Sequence, residues 1–410
     1  MVSSKEDWQK IIIGNDTTLK ARIGWQGLTT NEYRDSGEYY LVTGTDFENG
    51  LVNWDSCHFV DKYRYVQDKN IQLKVDDILV TKDGTIGKVG FVETIRLPST
   101  LNSGVFVVRS NSDKLYAKYL YYIFVSKIFD DFLNKLTAGS TISHLYQKDF
   151  LHFSFDAPPL QEQKAIAKAL SDTDALLTSM QKLITKKESI KKATMQQLLT
   201  GKKRLSGFSG EWEEKRLGDV GIFRRGSFPQ PYGLTKWYDE INGLPFIQVY
   251  DVDSNMKLKK DTKQHISRLG ESWSVFVKKG TVILTIQGSI GRIAITQYDA
   301  YIDRTLLIFK SFLMPIDKVF FSYIIQELFS IEKEKAAGGT IKTITKEELS
   351  SFKVYLPTLQ EQKAIAQILS DMDNEIEALN KKLYKLKYIK DGMMSELLTG
   401  KIRLKGVNND

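Results

Sequence analysis

Two glycine-rich segments carry the residue types that proteins most often use to hold phosphate groups. They are Gly84-Thr85-Ile86-Gly87-Lys88 and Gly288-Ser289-Ile290-Gly291-Arg292. An ATPase needs a Gly-x-x-x-x-Gly-Lys-Ser/Thr loop, because backbone N–H groups and the lysine must surround the phosphates together. The glycines here are closer together, and strand-like residues follow them. Both segments are therefore interpreted as tight turns within β-hairpins.

Other catalytic and metal-binding patterns are missing from the sequence. A DNA methyltransferase needs a Gly-rich cofactor loop and an Asn/Asp-Pro-Pro-aromatic motif, and Pro158-Pro159 lacks both flanks of that motif. Cys57 and His58 form the single Cys/His pair, with no second pair at zinc-finger spacing. The other three histidines stand alone. The sequence thus predicts neither a catalytic centre nor a metal site, and an enzyme with unrecognised chemistry is the least favoured hypothesis.

Composition limits the cellular setting of the chain. Cys57 is the only cysteine among 410 residues, so no intrachain disulfide can form and a reducing compartment is expected. No N-terminal segment resembles a signal peptide, and no apolar run is long enough to span a membrane. The formal net charge is +8, and residues 161–204 hold ten Lys/Arg against four Asp/Glu. The sequence predicts a soluble, cytoplasmic protein, and its charge alone is a weak indication of DNA binding.

The main organising feature of the chain is an internal duplication. Gln161-Glu162-Gln163-Lys164-Ala165-Ile166-Ala167 recurs unchanged as Gln360-Glu361-Gln362-Lys363-Ala364-Ile365-Ala366, a shift of 199 residues. Leu198-Leu199-Thr200-Gly201-Lys202 likewise recurs as Leu397-Leu398-Thr399-Gly400-Lys401. Repeated segments indicate repeated structural units. Two copies so far apart indicate a duplicated protein and not a solenoid.

Each copy is predicted to form one long helix. Proline precedes both starts, and Gly201 and Gly400 follow the ends, as is typical of helix termini. Lys390 is the one interruption in an apolar seam of coiled-coil spacing in the second copy; the seam consists of Ile365, Leu369, Met372, Ile376, Leu379, Leu383, Leu386, Met393 and Leu397. Because such a seam needs a partner helix, the two helices are expected to pair. The alternative is that each packs separately on its own globular domain.

Two stretches of similar size remain when the helices are removed, and they look like distant copies. Trp8 and Gly14 correspond to Trp212 and Gly218, and the glycine-rich turns occupy matching positions. The expected order is a domain over 1–157, a helical region over 158–205, a domain over 206–356 and a helical region over 357–410. The C-terminal segment is expected to point at the first domain, which would give a pseudo-twofold, circularly closed arrangement.

Both domains are predicted to combine strands with a helix. Short β-branched runs bounded by Gly, Asp or Asn indicate strands; they are Asp77–Thr81, Lys88–Thr94, Gly104–Arg109, Thr281–Thr285, Arg292–Thr296 and Thr305–Phe309. Aromatic-rich segments at Tyr116–Leu136 and Lys318–Ala336 indicate one helix near the end of each domain. The predicted fold class is therefore α+β, with two domains that alternate with two long helices paired as an antiparallel coiled coil.

In layout and motifs the chain resembles the DNA-specificity subunit of type I restriction–modification systems, over essentially its whole length. The resemblance rests on the Leu-Gln-Glu-Gln-Lys helix starts at Leu160 and Leu359, the Leu-Leu-Thr-Gly-Lys helix ends, and the Gly-Thr-Ile-Gly and Gly-Ser-Ile-Gly turns. Any one of these motifs would be weak, whereas the duplicated set in this order is specific. In that family two target recognition domains alternate with two helical regions.

The resemblance implies a non-catalytic subunit that binds double-stranded DNA and reads a bipartite, asymmetric sequence. It also implies assembly with two copies of an adenine methyltransferase subunit that uses S-adenosylmethionine. Two copies of a translocase–nuclease subunit that uses ATP and Mg can join such an assembly, and no cofactor is expected in this chain itself. A hypothesis from a different class is a coiled-coil scaffold whose duplicated domains bind protein partners.

Candidate DNA contacts are sought in polar, Gly-rich loops at matching places of both halves, because loops on a rigid scaffold often carry function. Arg suits guanine and Gln or Asn suits adenine, whereas Lys, Arg, Ser and Thr also reach phosphates. The candidates of the first half are Lys20, Arg22, Gln26, Tyr33, Arg34, Thr43, Thr45, Asp46, Lys62, Arg64, Ser140, Thr141 and Ser143. Those of the second half are Arg224, Arg225, Ser227, Gln248, Tyr250, Asp251, Gln287, Arg292, Arg304, Thr340 and Lys342. The alternative for any single member is an ordinary solvated loop residue.

Overall fold

A computed structural model of the chain describes residues 5–137, 144–335 and 344–404. The chain forms two compact units. Unit 1 comprises Met1–Gln181 and Lys381–Asp410, and unit 2 comprises Lys182–Asn380. Each unit therefore contains one globular domain together with parts of both long helices.

The domain of unit 1 is built mainly from short strands. They are β1 (Gln9–Ile12), β2 (Thr17–Ala21), β3 (Tyr40–Val42), β4 (Phe47–Glu48), β5 (Leu51–Val52), β6 (His58–Phe59), β7 (Ile78–Thr81), β8 (Val89–Phe91), β9 (Ser99–Leu101), β10 (Val105–Ser110) and β11 (Ser154–Ala157). The helices are α1 (Ile13–Asp16), α2 (Lys62–Val66), α3 (Ala117–Phe124), α4 (Lys127–Thr137), α5 (Gln147–Phe150) and the long α6 (Leu160–Leu198). A central sheet has the order β2-β10-β7-β8-β5-β4, a smaller one has the order β6-β3-β9, and β1 pairs with β11.

The domain of unit 2 follows the same plan. Its strands are β12 (Glu213–Arg216), β13 (Gly221–Arg225), β14 (Leu244–Ile247), β15 (Gln264–Ile266), β16 (Val275–Val277), β17 (Val282–Thr285), β18 (Ile293–Ile295), β19 (Ala300–Ile302), β20 (Leu306–Phe312) and β21 (Lys353–Leu356). The helices are α7 (Leu217–Val220), α8 (Arg268–Glu271), α9 (Lys318–Lys335), α10 (Lys346–Ser351) and the long α11 (Leu359–Leu398). The central sheet has the order β13-β20-β17-β18, a second sheet has the order β15-β14-β19-β16, and β12 pairs with β21.

The central sheet of each unit is buried on both faces, because successive residues of a strand point to opposite sides. Along β7, Ile78 and Val80 belong to a core shared with α3 and α4, whereas Leu79 belongs to a core shared with the β6-β3-β9 sheet. Along β17, Val282 and Leu284 belong to one core and the residue between them belongs to the other. Burial on both sides explains why these strands are continuous apolar runs in the sequence.

The predicted strands are all present, as β7, β8, β10, β17, β18 and β20. The prediction of one helix over Tyr116–Leu136 is wrong, because the structure has two helices, α3 and α4, separated at Val125 and Ser126. Ser126 Oγ accepts a hydrogen bond from the backbone N–H of Ile128 at 3.2 Å. A serine in this position satisfies the free N–H groups of a new helix start, so it divides the apolar segment. The matching helix of unit 2 is continuous over Lys318–Lys335.

The glycine-rich segments are hairpin turns, as predicted. Strands β7 and β8 pair antiparallel on either side of the first turn, and β17 and β18 do so around the second. The φ angles are +67° at Gly84, +80° at Gly87, +68° at Gly288 and +82° at Gly291. Residues with a Cβ rarely adopt this left-handed conformation. The turn geometry therefore accounts for the glycines without any bound phosphate.

Within unit 1 the two long helices run antiparallel, as predicted. Arg403, just beyond the end of α11, pairs with Glu162 at the start of α6 at 2.7 Å. Further along α6, Asp174 pairs with Lys390 at 2.6 Å. As the residue number rises along α6 from Glu162 to Asp174, the residue number of the partner falls from Arg403 to Lys390, so the two helices are antiparallel. Lys390, which interrupts the apolar seam in the sequence, is thus the partner of a carboxylate on the facing helix.

Unit 2 repeats these pairings at the corresponding positions of the repeat. Arg204 pairs with Glu361 at 2.7 Å, and Lys191 pairs with Asp373 at 2.5 Å. The antiparallel contact between the helices is therefore present in both units. The helices also complete the domain cores, so each helix packs on its domain as well as on the other helix.

The helices enter the hydrophobic core of the domain beside them. In unit 1 this core contains Ile166 and Leu170 of α6 together with Leu397 and Leu398 at the α11 end. Arg403 also lies 2.8 Å from Asp7. The C-terminal segment therefore packs on the first domain, as the repeat predicts.

Candidate nucleic-acid interface

Five segments of unit 1 are held together by hydrogen bonds between loops. Lys82 N donates to Gly104 O at 2.9 Å, and Leu145 N donates to Lys82 O at 2.8 Å. Asn102 Nδ2 donates to the Tyr33 hydroxyl at 2.6 Å. We call this surface the N-terminal loop face and define it as residues 22–34, 43–46, 82–88, 102–104 and 144–146.

The 43–46 segment of this face is fixed by two polar contacts. Asp46 Oδ2 accepts hydrogen bonds from the backbone N and the Oγ1 of Thr43, at 2.7 and 2.8 Å. Lys88 Nζ donates to Gly44 O at 3.1 Å, which ties the segment to the end of the hairpin turn. These hydrogen bonds therefore hold the 43–46 loop in one position on the domain.

Corresponding segments of unit 2 form an equivalent surface. Ile286 N donates to Thr305 O at 3.0 Å, and Ile344 N donates to Ile286 O at 3.3 Å. Arg225 Nε donates to Arg304 O at 3.2 Å. We call this surface the C-terminal loop face and define it as residues 224–232, 248–252, 286–292, 303–305 and 344.

Both faces contain a buried aspartate that caps a short 3-10 helix. Asp46 does so in unit 1, and Asp251 accepts from the backbone N of Gln248 at 2.8 Å in unit 2. Burial raises the pKa of both carboxyl groups, and the hydrogen bonds from Thr43 and Gln248 oppose that rise. These carboxylates hold loop backbone and are 2 % and 0 % exposed. Both carboxylates therefore hold the loops in place, and the prediction that they contact DNA stays a prediction.

Arg22 is another candidate whose side chain has interior partners. Its side chain is 1 % exposed. Its Nε donates to Leu101 O at 2.8 Å, and its Nη2 donates to Thr100 Oγ1 at 3.1 Å. A guanidinium that donates to these interior acceptors supports the loop that follows β2. Gln248 is also buried, at 5 % exposure.

Three further candidates of the first half have protein partners at the surface. Arg34 pairs with Asp61 at 2.6 Å and Arg64 pairs with Glu32 at 2.5 Å. The Arg34 side chain remains 55 % exposed, whereas that of Arg64 is 22 % exposed. Tyr33 is half-buried, and burial raises the pKa of its hydroxyl. Arg34 therefore stays available to a ligand, while Arg64 mainly holds α2 against the N-terminal loop face.

The remaining candidates fall into three groups. The exposed ones are Lys20, Thr45, Lys62, Arg224, Arg225 and Arg304, and the partly exposed ones are Gln26, Thr43, Ser227, Tyr250, Gln287 and Arg292. Lys20 lies on β2 and Lys62 on α2, outside the loop face as defined. Ser140, Thr141, Ser143, Thr340 and Lys342 lie outside the residues that the structure describes.

Sequence reasoning missed two residues of the faces. Asn102 donates a hydrogen bond to the hydroxyl of Tyr33. In unit 2 the corresponding residue is Asp303, which precedes the candidate Arg304. Tyr232 is 53 % exposed and contacts the candidate Gln248. Alignment of the two halves at Asn102 could have found the first, whereas no sequence signal distinguishes Tyr232 from other loop tyrosines.

The two faces share a backbone plan but present different chemical groups. In the C-terminal loop face, exposed arginines lie together, and the guanidinium of Arg304 stacks 4.7 Å from the centre of the Phe228 ring. In the N-terminal loop face, hydroxyl groups of Thr43 and Thr45 are 2.7 Å apart. Two equivalent frameworks with unlike side chains are suited to recognising two different sequences.

Two further observations concern metal ions and membranes. Within residues 5–137, 144–335 and 344–404, no group of three or more His, Cys, Asp or Glu side chains is arranged to hold a metal ion. Over the same ranges, no helix combines the length and the apolar character that crossing a membrane requires.

Duplicated loop faces that carry arginine, tyrosine, amide and hydroxyl groups have the chemistry that contacts nucleic acids require. The sequence profile described as the type I restriction modification DNA specificity domain matches residues 25–192 and 209–388. The chain belongs to this family. Proteins of the family are the DNA-recognition component of type I systems and are not the catalytic subunits. The scaffold hypothesis is therefore not favoured.

Full-length relatives support this membership. The putative type I restriction enzyme MjaX specificity subunit of Methanocaldococcus jannaschii is 28% identical over 398 residues, covering 92% of this chain and 91% of that protein. The MjaVIII specificity subunit of the same organism is 28% identical over an alignment of 436 residues, covering 98% and 95%. The crystal structure of a type I restriction–modification S subunit from M. genitalium has a TM-score of 0.62, 19% identity and 97% coverage of both chains, so it has the same fold.

Proposed function

We propose that this chain reads a bipartite, asymmetric DNA sequence, one part through each loop face. The observation that carries the proposal is that corresponding segments build both faces while the side chains on them differ. Equivalent backbones allow the two faces to approach a duplex in the same way, and different side chains select different bases. Family membership supports DNA specificity as the role of the chain.

The exposed candidates are assigned to base or phosphate contacts by their chemistry. Arg225, Arg304 and Gln287 of the C-terminal loop face suit base edges, because guanidinium and amide groups make paired hydrogen bonds there. Arg34 and Gln26 take that role in the N-terminal loop face. Apart from Tyr250, the remaining surface candidates suit phosphates, which fix the register of the protein on the duplex; they are Lys20, Thr43, Thr45, Lys62, Arg224, Ser227 and Arg292.

The partners follow from the family and not from a site in this chain. We assign domain boundaries at 1–157, 158–205, 206–356 and 357–410, with the helical regions as the connection to other subunits. Two adenine methyltransferase subunits with S-adenosylmethionine would modify the site that this chain selects. Two translocase–nuclease subunits would use ATP and Mg for restriction. Such a complex acts on cellular DNA, which supports a cytoplasmic location.

Selection from a random duplex pool tests the proposal. The chain in complex with its methyltransferase subunit is incubated with the pool, and the bound fraction is sequenced. We expect two conserved blocks of unlike sequence, separated by a spacer of fixed length whose bases are not selected. One continuous block, or no enrichment, would contradict the proposal.

Replacement of Arg225 by alanine should weaken binding of the selected duplex by about 1–3 kcal/mol if the side chain reads a base. Arg304→Ala should act similarly, because the two arginines are adjacent in the C-terminal loop face. Gel-shift titration of the selected duplex measures the change in Kd. Both substitutions should also relax base preference in one conserved block and leave the other intact.

The matched control for these substitutions is Arg216→Ala. Arg216 is also an exposed arginine of unit 2, but it lies on β12, outside the C-terminal loop face. We expect its replacement to leave base preference in both blocks unchanged. An equal loss for Arg216→Ala and Arg225→Ala would show that net charge, and not the loop face, determines binding.

A further inference from the structure

We propose that Gln248 determines specificity in the C-terminal loop face by fixing the direction of two tyrosine hydroxyl groups. In this arrangement Tyr232 offers the surface a hydrogen-bond donor and Tyr250 offers it an acceptor. The inference deepens the proposed function and rests on it. It names a positioning residue, since the Gln248 side chain is itself buried.

Gln248 is held by its backbone and by both polar atoms of its side-chain amide. Its backbone N donates to Asp251 Oδ2 at 2.8 Å, and the residue is 5 % exposed. Its Nε2 donates to the Tyr232 hydroxyl at 2.9 Å. Its Oε1 accepts a hydrogen bond from the Tyr250 hydroxyl. Both ends of the amide are thus engaged inside the loop face.

The chemistry of an amide sets the direction of both bonds. An amide nitrogen only donates, so the oxygen of Tyr232 accepts and its own proton points away from Gln248. An amide oxygen only accepts, so Tyr250 gives its proton to Gln248 and keeps free lone pairs. Tyr232 is 53 % exposed, and Tyr250 is partly exposed. The surface therefore carries one donor and one acceptor, held by opposite ends of the same side chain.

The surroundings keep both tyrosines in place. The Tyr232 ring packs edge-on against Phe228, with 4.5 Å between ring centres. Lys263 Nζ lies 5.3 Å from the centre of the Tyr250 ring. Burial, followed by the nearby Asp251 charge, raises the pKa of Tyr250 to about 12, so the hydroxyl keeps the proton that it donates at neutral pH.

A donor beside an acceptor matches a base that presents the opposite pair. Adenine presents N7 as an acceptor and N6–H₂ as a donor on one major-groove edge, so it is the ligand that we assign to this pair of hydroxyls. The N-terminal loop face lacks the arrangement: Thr43 and Thr45 stand where Gln248 and Tyr250 stand in unit 2, and their hydroxyls contact each other. The pair is therefore specific to one half of the target.

Two substitutions test the inference in the complete complex with the methyltransferase subunit. In Gln248→Glu the carboxylate accepts from both tyrosines, so the Tyr232 proton turns inward and the surface loses its donor. Tyr232→Phe removes the same donor without changing Gln248. In random-pool selection we expect both variants to lose preference for adenine at the same single position by about tenfold or more. The other block and the spacer should stay as in the wild type.

Melting temperatures and a control variant separate the possible outcomes. If Gln248→Glu unfolds the domain, the base preference of Tyr232→Phe alone tests the inference. Unchanged base preference in Tyr232→Phe, with the split motif retained, overturns the inference and leaves the proposed function standing. Failure of the wild-type complex to select a split motif overturns the proposed function itself. Tyr355→Phe removes the hydroxyl of a tyrosine that is 48 % exposed on β21, outside the C-terminal loop face. It should leave the adenine position unaffected, and loss of adenine preference in this control would also overturn the inference.

Discussion

Replacing Glu162 by alanine should lower the free energy of unfolding of unit 1 by about 3 kcal/mol. The side chains of Glu162 and Arg403 are 6% and 4% exposed. Arg403 Nε donates to both carboxylate oxygens of Glu162, at 2.9 and 3.0 Å, and Arg403 Nη2 donates to Glu162 Oε2 at 2.7 Å. Removal of the carboxylate leaves a buried guanidinium without its main counter-charge, which costs far more than loss of an exposed pair. Urea unfolding of the full chain, followed by tryptophan fluorescence, measures the difference.

Two control variants identify burial as the cause. Asp172→Ala breaks the pair with Lys168, whose side chains are 66% and 75% exposed, and should leave the unfolding midpoint nearly unchanged. Glu162→Leu combined with Arg403→Met replaces the buried charges by apolar groups of similar size and should recover most of the lost stability. Equal effects of Glu162→Ala and Asp172→Ala, or no recovery in the double variant, would contradict this explanation.

The repeat was sufficient to predict the long helices, but not what its polar residues do. Gln163 Nε2 donates to Pro158 O at 2.8 Å, and its Oε1 accepts from Tyr116 N at 2.9 Å. In unit 2, Gln362 Oε1 accepts the corresponding hydrogen bond from Asp317 N at 3.0 Å. These glutamines join each long helix to the domain before it. Tyr116 and Asp317 lie more than 40 residues away from these glutamines in the chain, where helical periodicity carries no information.

The loop faces show why residue type alone could not identify the ligand-facing side chains. Arg22 follows β2 and Gly226 follows β13, so they occupy equivalent positions. Arg22 donates to the carbonyl of Leu101, whereas a Cβ at Gly226 would lie 2.3 Å from the carbonyl of Ile302. In unit 1 an arginine side chain occupies the space after β2, whereas in unit 2 backbone atoms occupy the corresponding space after β13. The difference depends on the neighbouring strands, which contain Leu101 and Ile302, and the sequence of the loop itself gives no information about them.

The same limit applies to charges in the helices. The apolar seam predicted the antiparallel pairing, and Lys390 looked like a defect in it. The structure places Lys390 and Lys191 at corresponding positions of the repeat, each against an aspartate of the facing helix. Tyr122 and Tyr323 of the domains also donate to these aspartates. A three-part contact between two helices and a domain cannot be derived from the spacing of either helix alone.

Gly291→Ala should destabilise unit 2 by about 3 kcal/mol, whereas Gly288→Ala in the same turn should cost about 1 kcal/mol. Both glycines have positive φ, so both substitutions strain the backbone. A Cβ at Gly291 would also lie 2.6 Å from Cβ and Cγ of Phe329, which is 1 % exposed and has no room to move. At Gly288 the nearest atom is 3.5 Å away, on Val249. Thermal and urea unfolding of the two variants measure the difference.

The matching turn of unit 1 separates backbone strain from packing. A Cβ at Gly87 would meet the Cδ1 methyl of Leu133, the mobile end of a half-buried side chain, so Gly87→Ala should cost less than Gly291→Ala. Equal losses at Gly288 and Gly291 would show that backbone strain alone determines stability. The turn carries Gln287 into the C-terminal loop face. Its close packing on α9 therefore explains how a surface hairpin can hold a candidate base contact in one position, and loss of that packing should weaken selection in one block of the DNA target.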